Sequence, residues 1–401
     1  MKNLSKKSLF AKSFWCLVVL LSYVFCGTMI SVYSGHLPLL DVCRFLVTCL
    51  GLIIIIFSLK YLIINKTRIL FLLVSFILFT TFPTISSQLE TNSFANGMLC
   101  YTDSIMWIAI FFICYRIGYN RGDMVDQSKY LVCLVPVFLY LFWQVKSFFM
   151  LDSTDDIAMI SSAYYPLFLF PFVTLIKNRS IQWFLMFLIF ITVLLSVKRT
   201  GILVFAFLVC IYYYYKYVSN ASIVKKIRYI FLSFFVALFL LFLFFILVDK
   251  MDIGIIDRLK NMGEDGGSGR DEIWAITIKM IGQSDIISFL FGHGFNMVSR
   301  HSPAGLSAHC DYLEIIYDYG IIGTLIYITF YVKLFIYYRF VKKYNPDWQL
   351  PMILSFFLVF VFSLTSHLLI YPTYFLFLCV LWGLIAGHCD NKKNYSNEFS
   401  N

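Results

Sequence analysis

Long runs of apolar residues, separated by short polar segments, recur from one end of this chain to the other. Most runs have the length that an α-helix needs to cross the ~30 Å hydrocarbon core of a bilayer. The pattern predicts twelve membrane helices, at 14–33, 45–64, 69–85, 103–119, 130–146, 160–176, 181–197, 201–217, 229–248, 313–335, 350–366 and 372–388. Some of these ranges are short, so tilted, kinked or partial spans are expected. The predicted fold is an all-α polytopic membrane protein.

The longest polar segment separates the ninth predicted helix from the tenth. Connections of this length are usually functional rather than idle. The chain therefore divides into four predicted regions: nine membrane helices in 1–248, a large loop with short helices and the active-site region in 249–312, three membrane helices in 313–388, and a tail in 389–401.

The basic residues predict the orientation of these helices. With the N-terminus in the cytoplasm, 21 of the 32 Lys and Arg residues lie in inner segments. Most of the others fall in the loop 249–312, and long loops escape the positive-inside rule. Both termini are thus predicted to be cytoplasmic, and the large loop is predicted to lie on the outer side.

Composition excludes several classes of protein. Charged residues make up 13% of the chain, about half the usual fraction of a soluble domain. The net charge of +10 arises from basic residues between apolar runs, so it does not indicate nucleic-acid binding. The eleven Cys show no metal-ligand spacing. We predict no metal and no cofactor.

A stretch at the end of the large loop carries the first candidate chemistry. Asp311 and Glu314 form a capping-box pattern that predicts the start of a helix. His309 precedes that start, where backbone N–H groups favour an anion. An imidazole there can act as a base near neutral pH. The alternative is an ordinary surface histidine.

Lys198 and Arg199 join two predicted membrane helices with almost no loop between them. A cation at the hydrocarbon boundary needs a partner or a water-filled cavity. One interpretation is that both side chains extend to the lipid headgroups. The other is that they bind an anion, for which phosphate is the best candidate.

A glycine-rich stretch at 263–269 precedes Arg270 and Trp274, which begin an amphipathic helical pattern. Ser268 is a candidate N-cap, which predicts that Arg270 lies at a helix N-terminus, a second position favourable for anions. The alternative is a solvated arginine paired with a nearby carboxylate.

Three further histidines lie in or near the loop. The Gly292-His293-Gly294 turn predicts close backbone packing rather than a nucleotide site. We interpret His301 as a surface residue. His367 ends a predicted helix on the outer side and could line the same cavity as His309, although packing at the rim or in the core is the favoured interpretation.

Three motifs follow one another in a fixed order. They are Arg-Thr-Gly at 199–201, Gly-Arg-x-x-x-Trp at 269–274, and a His at 309 followed by Asp-Tyr-Leu-Glu and two glycines. Together, over about Ser196 to Gly323, they resemble the O-antigen ligase and O-antigen polymerase superfamily of bacterial surface-polysaccharide assembly. Many relatives have Asn directly after the His, whereas this chain has Cys310.

The resemblance implies a glycosyltransferase of the bacterial inner membrane, similar in architecture to C-type glycosyltransferases. The implied donor is a glycan on undecaprenyl diphosphate, used on the periplasmic side without a metal. Implied partners are a chain-length regulator and a flippase of the same pathway. Carried over by motif, His309 would be the base, and Arg199 and Arg270 would bind the diphosphate.

Five neighbouring residues complete the predicted site. Lys198 would assist Arg199 at the diphosphate, and four residues could support the base: Trp274, Asp311, Tyr312 and Glu314.

The favoured function is polymerisation of lipid-linked O-antigen or capsular repeat units. The short chain and its Phe-, Ile- and Tyr-rich helices resemble the divergent polymerases. One alternative is a ligase that moves the finished glycan to lipid A-core or protein. Another is a flippase of lipid-linked sugars, which would be expected to keep its charges within a central cavity.

Overall fold

The computed structural model describes residues 68–90, 94–152, 165–196, 198–219, 266–303, 305–369 and 373–398, with scattered positions at 42, 45–46, 48–49, 51–53, 56, 163, 222 and 224. The predicted helices 14–33 and 229–248 and the first part of the large loop, 249–265, lie outside the described residues.

The described residues form α-helices joined by short turns, with no strand among them. In chain order the helices are α1 (Arg68–Leu89), α2 (Phe94–Ser104), α3 (Met106–Asn120), α4 (Met124–Gln127), α5 (Leu134–Asp152), α6 (Phe170–Val173), α7 (Arg179–Leu195), α8 (Arg199–Tyr213), α9 (Gly266–Gln283), α10 (Ile286–Phe291), α11 (Met297–His301), α12 (Asp311–Tyr344), α13 (Gln349–Thr365) and α14 (Phe375–Glu398). Short 3₁₀ helices cover Ser128–Cys133, Tyr165–Leu169 and Pro346–Trp348, and a π-helix extends α8 over Tyr214–Val218.

Six helical stretches in the described part of the chain are long and apolar enough to cross a membrane: Arg68–Leu89, Gly97–Asn120, Met124–Trp143, Thr200–Val218, Asp311–Tyr344 and Pro346–Thr365. The chain is therefore a multi-pass membrane protein. The predicted span 160–176 has no continuous helix, because Tyr165–Leu169 is a 3₁₀ helix followed by the four-residue α6. Pro166 and Pro171 lack the N–H groups that a continuous helix would need there.

The chain divides into two compact units. The first contains 1–128, 270–349 and 359–401, and the second contains 129–269 and 350–358. In the second unit, the side chain of Asn178 caps α7 by accepting hydrogen bonds from the N–H groups of Ser180 and Ile181 at 2.9 and 3.3 Å. The buried Gln182 of α7 accepts a hydrogen bond from the Tyr212 hydroxyl of α8 at 2.6 Å.

In the first unit, α3 and α14 are packed with their backbones in close approach. A Cβ atom on Gly118 would overlap the backbone oxygen of Leu384, and one on Gly387 would overlap that of Tyr115. Gly383 has Phe111 O only 2.7 Å from the place where its Cβ would stand. Small residues spaced four apart allow this approach between membrane helices.

A kink divides α12. Gly320 has φ 66° and ψ −175°, values that interrupt the helix and that glycine adopts readily. Because the helix is interrupted there, carbonyl groups of the preceding turn can accept hydrogen bonds from another segment. The N–H groups of His293 and Gly294 donate hydrogen bonds to the carbonyl oxygens of Tyr317 and Asp318, at 3.0 and 2.8 Å. The predicted close backbone packing of the 292–294 turn is confirmed.

The buried Asp318 carboxylate fixes the next part of the loop. It accepts hydrogen bonds from the backbone N–H groups of Asn296, Met297 and Val298, at 2.7, 3.0 and 3.2 Å. These are N–H groups at the start of α11, which have no partner within their own helix. The loop preceding His309 is thus attached to α12 at two successive points.

Candidate functional site

The site is built around the N-terminus of α12, which begins at Asp311 as predicted. The expected capping box is wrong, because the N-cap residue is Cys310 and no side chain caps the helix. The Asp311 carboxylate instead accepts hydrogen bonds from the N–H groups of Leu368 and Leu369, at 3.2 and 3.3 Å. The Asp311 carboxylate therefore binds residues that are distant in sequence instead of capping its own helix.

His309 lies directly before this helix with φ 50°, in the left-handed region. Such a conformation costs a residue other than glycine roughly 1–3 kcal/mol and is concentrated at functional sites. Both neighbours of His309 are buried: Ala308 is fully enclosed and Cys310 is 4% exposed. The indole N–H of Trp274 donates a hydrogen bond to the carbonyl oxygen of Ala308 at 2.9 Å. Trp274 therefore fixes the backbone next to His309.

His367, for which packing was the favoured interpretation, lies beside His309. Its ring centroid lies 4.1 Å from that of His309. Its Nε2 is 3.1 Å from Ser307 Oγ, and its Nδ1 is 3.2 Å from Glu314 Oε1. Burial and the positive charge of Arg270 lower the pKa of the His367 imidazole to about 4. The ring is therefore neutral at physiological pH.

Arg270 belongs to the same unit as His309 and lies within electrostatic range of His367. Its helix, α9, begins four residues before it, at Gly266. Gly269, with φ 73°, is left-handed and directly precedes Arg270. The prediction of Ser268 as the N-cap is wrong, because Ser268 is the third residue of α9.

Lys198 and Arg199 belong to the second unit. Arg199 is the first residue of α8, and Lys198 is its N-cap residue, with φ −92° and ψ 116°. The backbone N–H of Lys198 donates a hydrogen bond to Ser196 Oγ at 3.2 Å. The position of Arg199 at a helix N-terminus is one that favours a bound anion.

The remaining predicted residues lie around His309. Glu314 is 3% exposed and contacts His367, whereas Tyr312 is half-buried and packs against an apolar cluster. That cluster consists of Met297, Val298, Ala308, Cys310 and Tyr317. Burial raises the pKa of the Cys310 thiol, so the residue at the usual Asn position is a neutral packing group.

His293 and His301 form a second polar group with Tyr317 of α12. Nε2 of His293 is 2.9 Å from Ser284 Oγ, and Nδ1 of His301 is 2.7 Å from the Tyr317 hydroxyl oxygen. His293 also stacks on the Tyr317 ring at 4.3 Å. Burial and the neighbouring His301 lower the pKa of His293. His301 is exposed, as expected for a surface residue, yet it is hydrogen-bonded.

The sequence indicated His367 only as a possible lining residue of the His309 cavity, with packing favoured, and it did not single out Asp318. His367 follows α13 and meets His309 only through folding, and Asp318 lies in an apolar helix without a motif. The one available signal was that both are polar groups within or at the end of membrane helices, where they are costly unless paired. No cluster of three or more His, Cys, Asp or Glu in the described part of the chain could hold a metal ion.

Residues 184–328 match the family model described as O-antigen ligase. The matched range contains every residue of the predicted site, and it ends before His367. No curated protein matches the chain. The match confirms the resemblance to the O-antigen polymerase and ligase superfamily.

Proposed function

We propose that this multi-pass membrane protein is a glycosyltransferase that uses a lipid-linked glycan. Its residues 184–328 match the O-antigen ligase family. The proposed donor is an oligosaccharide repeat unit on undecaprenyl diphosphate. The proposed acceptor is a hydroxyl group of a second lipid-linked repeat unit, so that the enzyme polymerises O-antigen or capsular glycan.

The observation that carries this proposal is the placement of His309. Within one unit it lies at the N-terminus of α12, beside His367 and in the neighbourhood of Arg270. A base near a cationic group such as Arg270 suits a reaction in which a hydroxyl loses a proton while an anionic group departs. General-base assistance of this kind contributes ~10²–10⁴-fold to a rate.

The acceptor hydroxyl oxygen forms a bond to the anomeric carbon of the donor, and its proton passes to the His309 imidazole. The bond between the anomeric carbon and the phosphate oxygen breaks, and the lipid diphosphate leaves with the electron pair. Guanidinium groups neutralise the charge that grows on this leaving group.

Arg270 is the proposed diphosphate ligand in the first unit. The roles proposed for Lys198 and Arg199, which belong to the second unit, rest on the resemblance alone. The reaction is proposed to need no metal, since arginine can provide charge-assisted, bidentate hydrogen bonds to phosphate.

We further propose that the protein lies in the bacterial inner membrane with its active site on the periplasmic side. A chain-length regulator and a flippase of the same pathway are its proposed partners. The second candidate function is a ligase that transfers the finished glycan to lipid A-core or protein. It is favoured by the description of the matched family, which names a ligase.

The test is an electrophoretic ladder of surface glycan from cells that lack the gene and are complemented with wild type, His309→Ala or His388→Ala. His388 is the control, because it lies in α14 against Trp348, with ring centroids 4.9 Å apart. A polymerase predicts that null and His309→Ala cells carry single repeat units, while wild type and His388→Ala restore the ladder.

Other outcomes overturn parts of the proposal. If null cells accumulate long lipid-linked chains that do not reach the final acceptor, the protein is a ligase. A lipid-linked unit trapped on the cytoplasmic side would identify a flippase and exclude the transferase. A normal ladder from His309→Ala would exclude His309 as the base.

A further inference from the structure

His367 lies in the connection between α13 and α14, and a specific contact holds this connection against the site. The Asp311 carboxylate, at the first residue of α12, accepts hydrogen bonds from the N–H groups of the next two residues, Leu368 and Leu369. Asp311 is 1% exposed and His367 is 8% exposed. The imidazole therefore has little freedom to leave its position.

Three contacts join His367 to His309 itself and to one residue on either side of it in sequence. Its Nε2 is 3.1 Å from the hydroxyl of Ser307, two residues before His309. Its Nδ1 is 3.2 Å from the carboxyl of Glu314, in the first turns of α12. The rings of His367 and His309 lie 4.1 Å apart with an angle of 46° between their planes. His367 thus connects the loop, the helix and the base itself.

The charge of His367 suits this position. A positive ring 4.1 Å from His309 would oppose the uptake of a proton by His309, because like charges disfavour one another. Burial and Arg270 keep His367 neutral at physiological pH, since they lower its pKa to about 4. A neutral imidazole can donate from one ring nitrogen and accept at the other. Nε2 of this ring lies at hydrogen-bond distance from the Ser307 hydroxyl, and Nδ1 faces the Glu314 carboxyl group at 3.2 Å.

We propose that His367, held between Ser307 and Glu314, is a positioning residue that fixes the imidazole of His309 for proton transfer from the acceptor hydroxyl. This inference rests on the proposed function. His367 lies outside the range 184–328 that matches the family, so the match does not assign it a role.

The test uses the purified full-length protein in lipid vesicles, with the undecaprenyl diphosphate-linked repeat unit as the substrate. His367→Ala removes both the ring and its polar contacts. His367→Gln keeps a polar group near the position of Nε2 and can still meet Ser307. We expect kcat to fall by about 10–100-fold in His367→Ala, with donor KM unchanged and part of the rate recovered in His367→Gln.

Two controls separate this inference from the proposed function and from a loss of folding. His309→Ala must be inactive; if it is active, the role of His309 as the base in the proposed function fails. His388→Ala should leave kcat unchanged. If His309→Ala is inactive and His367→Ala keeps the wild-type kcat, the positioning role alone is refuted. A rise in donor KM at unchanged kcat, or a lowered thermal stability in both His367 variants that accounts for the loss of rate, also refutes it.

Discussion

His309 and Asn296 are the described residues other than glycine that have a positive φ, at 50° and 59°. Asparagine tolerates this region well, whereas histidine is less common there. At His309 the strained conformation is maintained by the buried residues on either side and by the hydrogen bond from Trp274 to Ala308. Packing of the neighbours therefore determines the direction in which the His309 side chain leaves the backbone.

At the same scale, Arg270 provides a prediction about the donor. Arg270→Ala should lower kcat/KM for the lipid-linked donor by about 10²–10³, because a cation that stabilises the leaving diphosphate is lost. Arg270→Lys should recover only part of this, since an ammonium cannot make the two parallel hydrogen bonds of a guanidinium. Steady-state rates against donor concentration provide the measurement.

The matched control is Arg300→Ala. Arg300 is an exposed arginine at the C-terminal end of α11 in the same loop. It should retain the wild-type kcat/KM. A normal kcat/KM in Arg270→Ala would contradict the role of Arg270, and equal losses in both variants would show that the loop responds only to its total charge.

At the scale of elements, the packing of α3 on α14 depends on glycine. The helices approach so closely at Gly118, Gly383 and Gly387 that a side chain at any of these positions would meet the backbone of the other helix. At their ends the hydroxyl of Tyr115 donates a hydrogen bond to the Asp390 carboxylate at 2.9 Å. In a membrane, such close contact is a main source of association between helices, because lipid tails are as apolar as leucine.

Gly387→Ala should therefore destabilise the protein by about 1–3 kcal/mol, the usual cost of overpacking a filled interface. An added Cβ would overlap the backbone oxygen of Tyr115 and lie 2.6 Å from the N atom of Tyr119. The measurement is thermal unfolding of the full-length protein in detergent.

Gly282→Ala in α9 is the matched substitution, because no atom lies within 4 Å of the Cβ that it would add. It should be neutral or stabilise the helix by up to about 1 kcal/mol. If the two variants unfold at the same temperature, the close approach of α3 and α14 does not limit stability.

At the scale of the whole molecule, α12 is longer than a bilayer requires. Its 34 residues would extend over ~51 Å, against a hydrocarbon core of ~30 Å. The kink at Gly320 separates two parts of different character. Exposed large apolar side chains occur only after it, at Leu325, Ile328, Val332, Phe335 and Ile336. The part before it carries the buried Asp311, Glu314 and Asp318, so the membrane boundary is expected near Gly320, with His309 outside the hydrocarbon.

The distribution of basic residues leads to a prediction about topology. Green fluorescent protein fused after residue 401 should fluoresce, because the tail 389–401 is predicted to lie in the cytoplasm. Alkaline phosphatase inserted in the loop 249–312 should be active, because this enzyme folds only in an oxidising compartment. Exchanging the two reporters is the control, and both exchanged fusions should be silent. If both exchanged fusions were active, the orientation would be the opposite of the predicted one.

The local pattern of residues by itself determined much of this protein. Apolar runs predicted the positions of the six long helices that could cross a membrane, because a helix satisfies its own backbone within the bilayer, but the run at 160–176 is not one continuous helix. Helix α12 begins at Asp311 as predicted, although without the expected capping box, and α8 begins at Arg199, two residues before the predicted span 201–217. The three motifs in fixed order led to the superfamily that the match at 184–328 supports.

Only the tertiary structure decided which polar groups meet. Asp311 carries a local capping signal, yet its carboxylate binds the N–H groups of Leu368 and Leu369, because a partner brought by folding replaced the local one. His367 joined His309, and Asp318 joined the start of α11, across separations in sequence that no short motif records. The periodicity of apolar residues predicts which face of a helix a side chain occupies. The partner that the side chain meets depends on how distant helices pack. For that reason the motifs in the sequence led to the proposal of His309 as the base, and only the folded chain placed the His367 ring beside it.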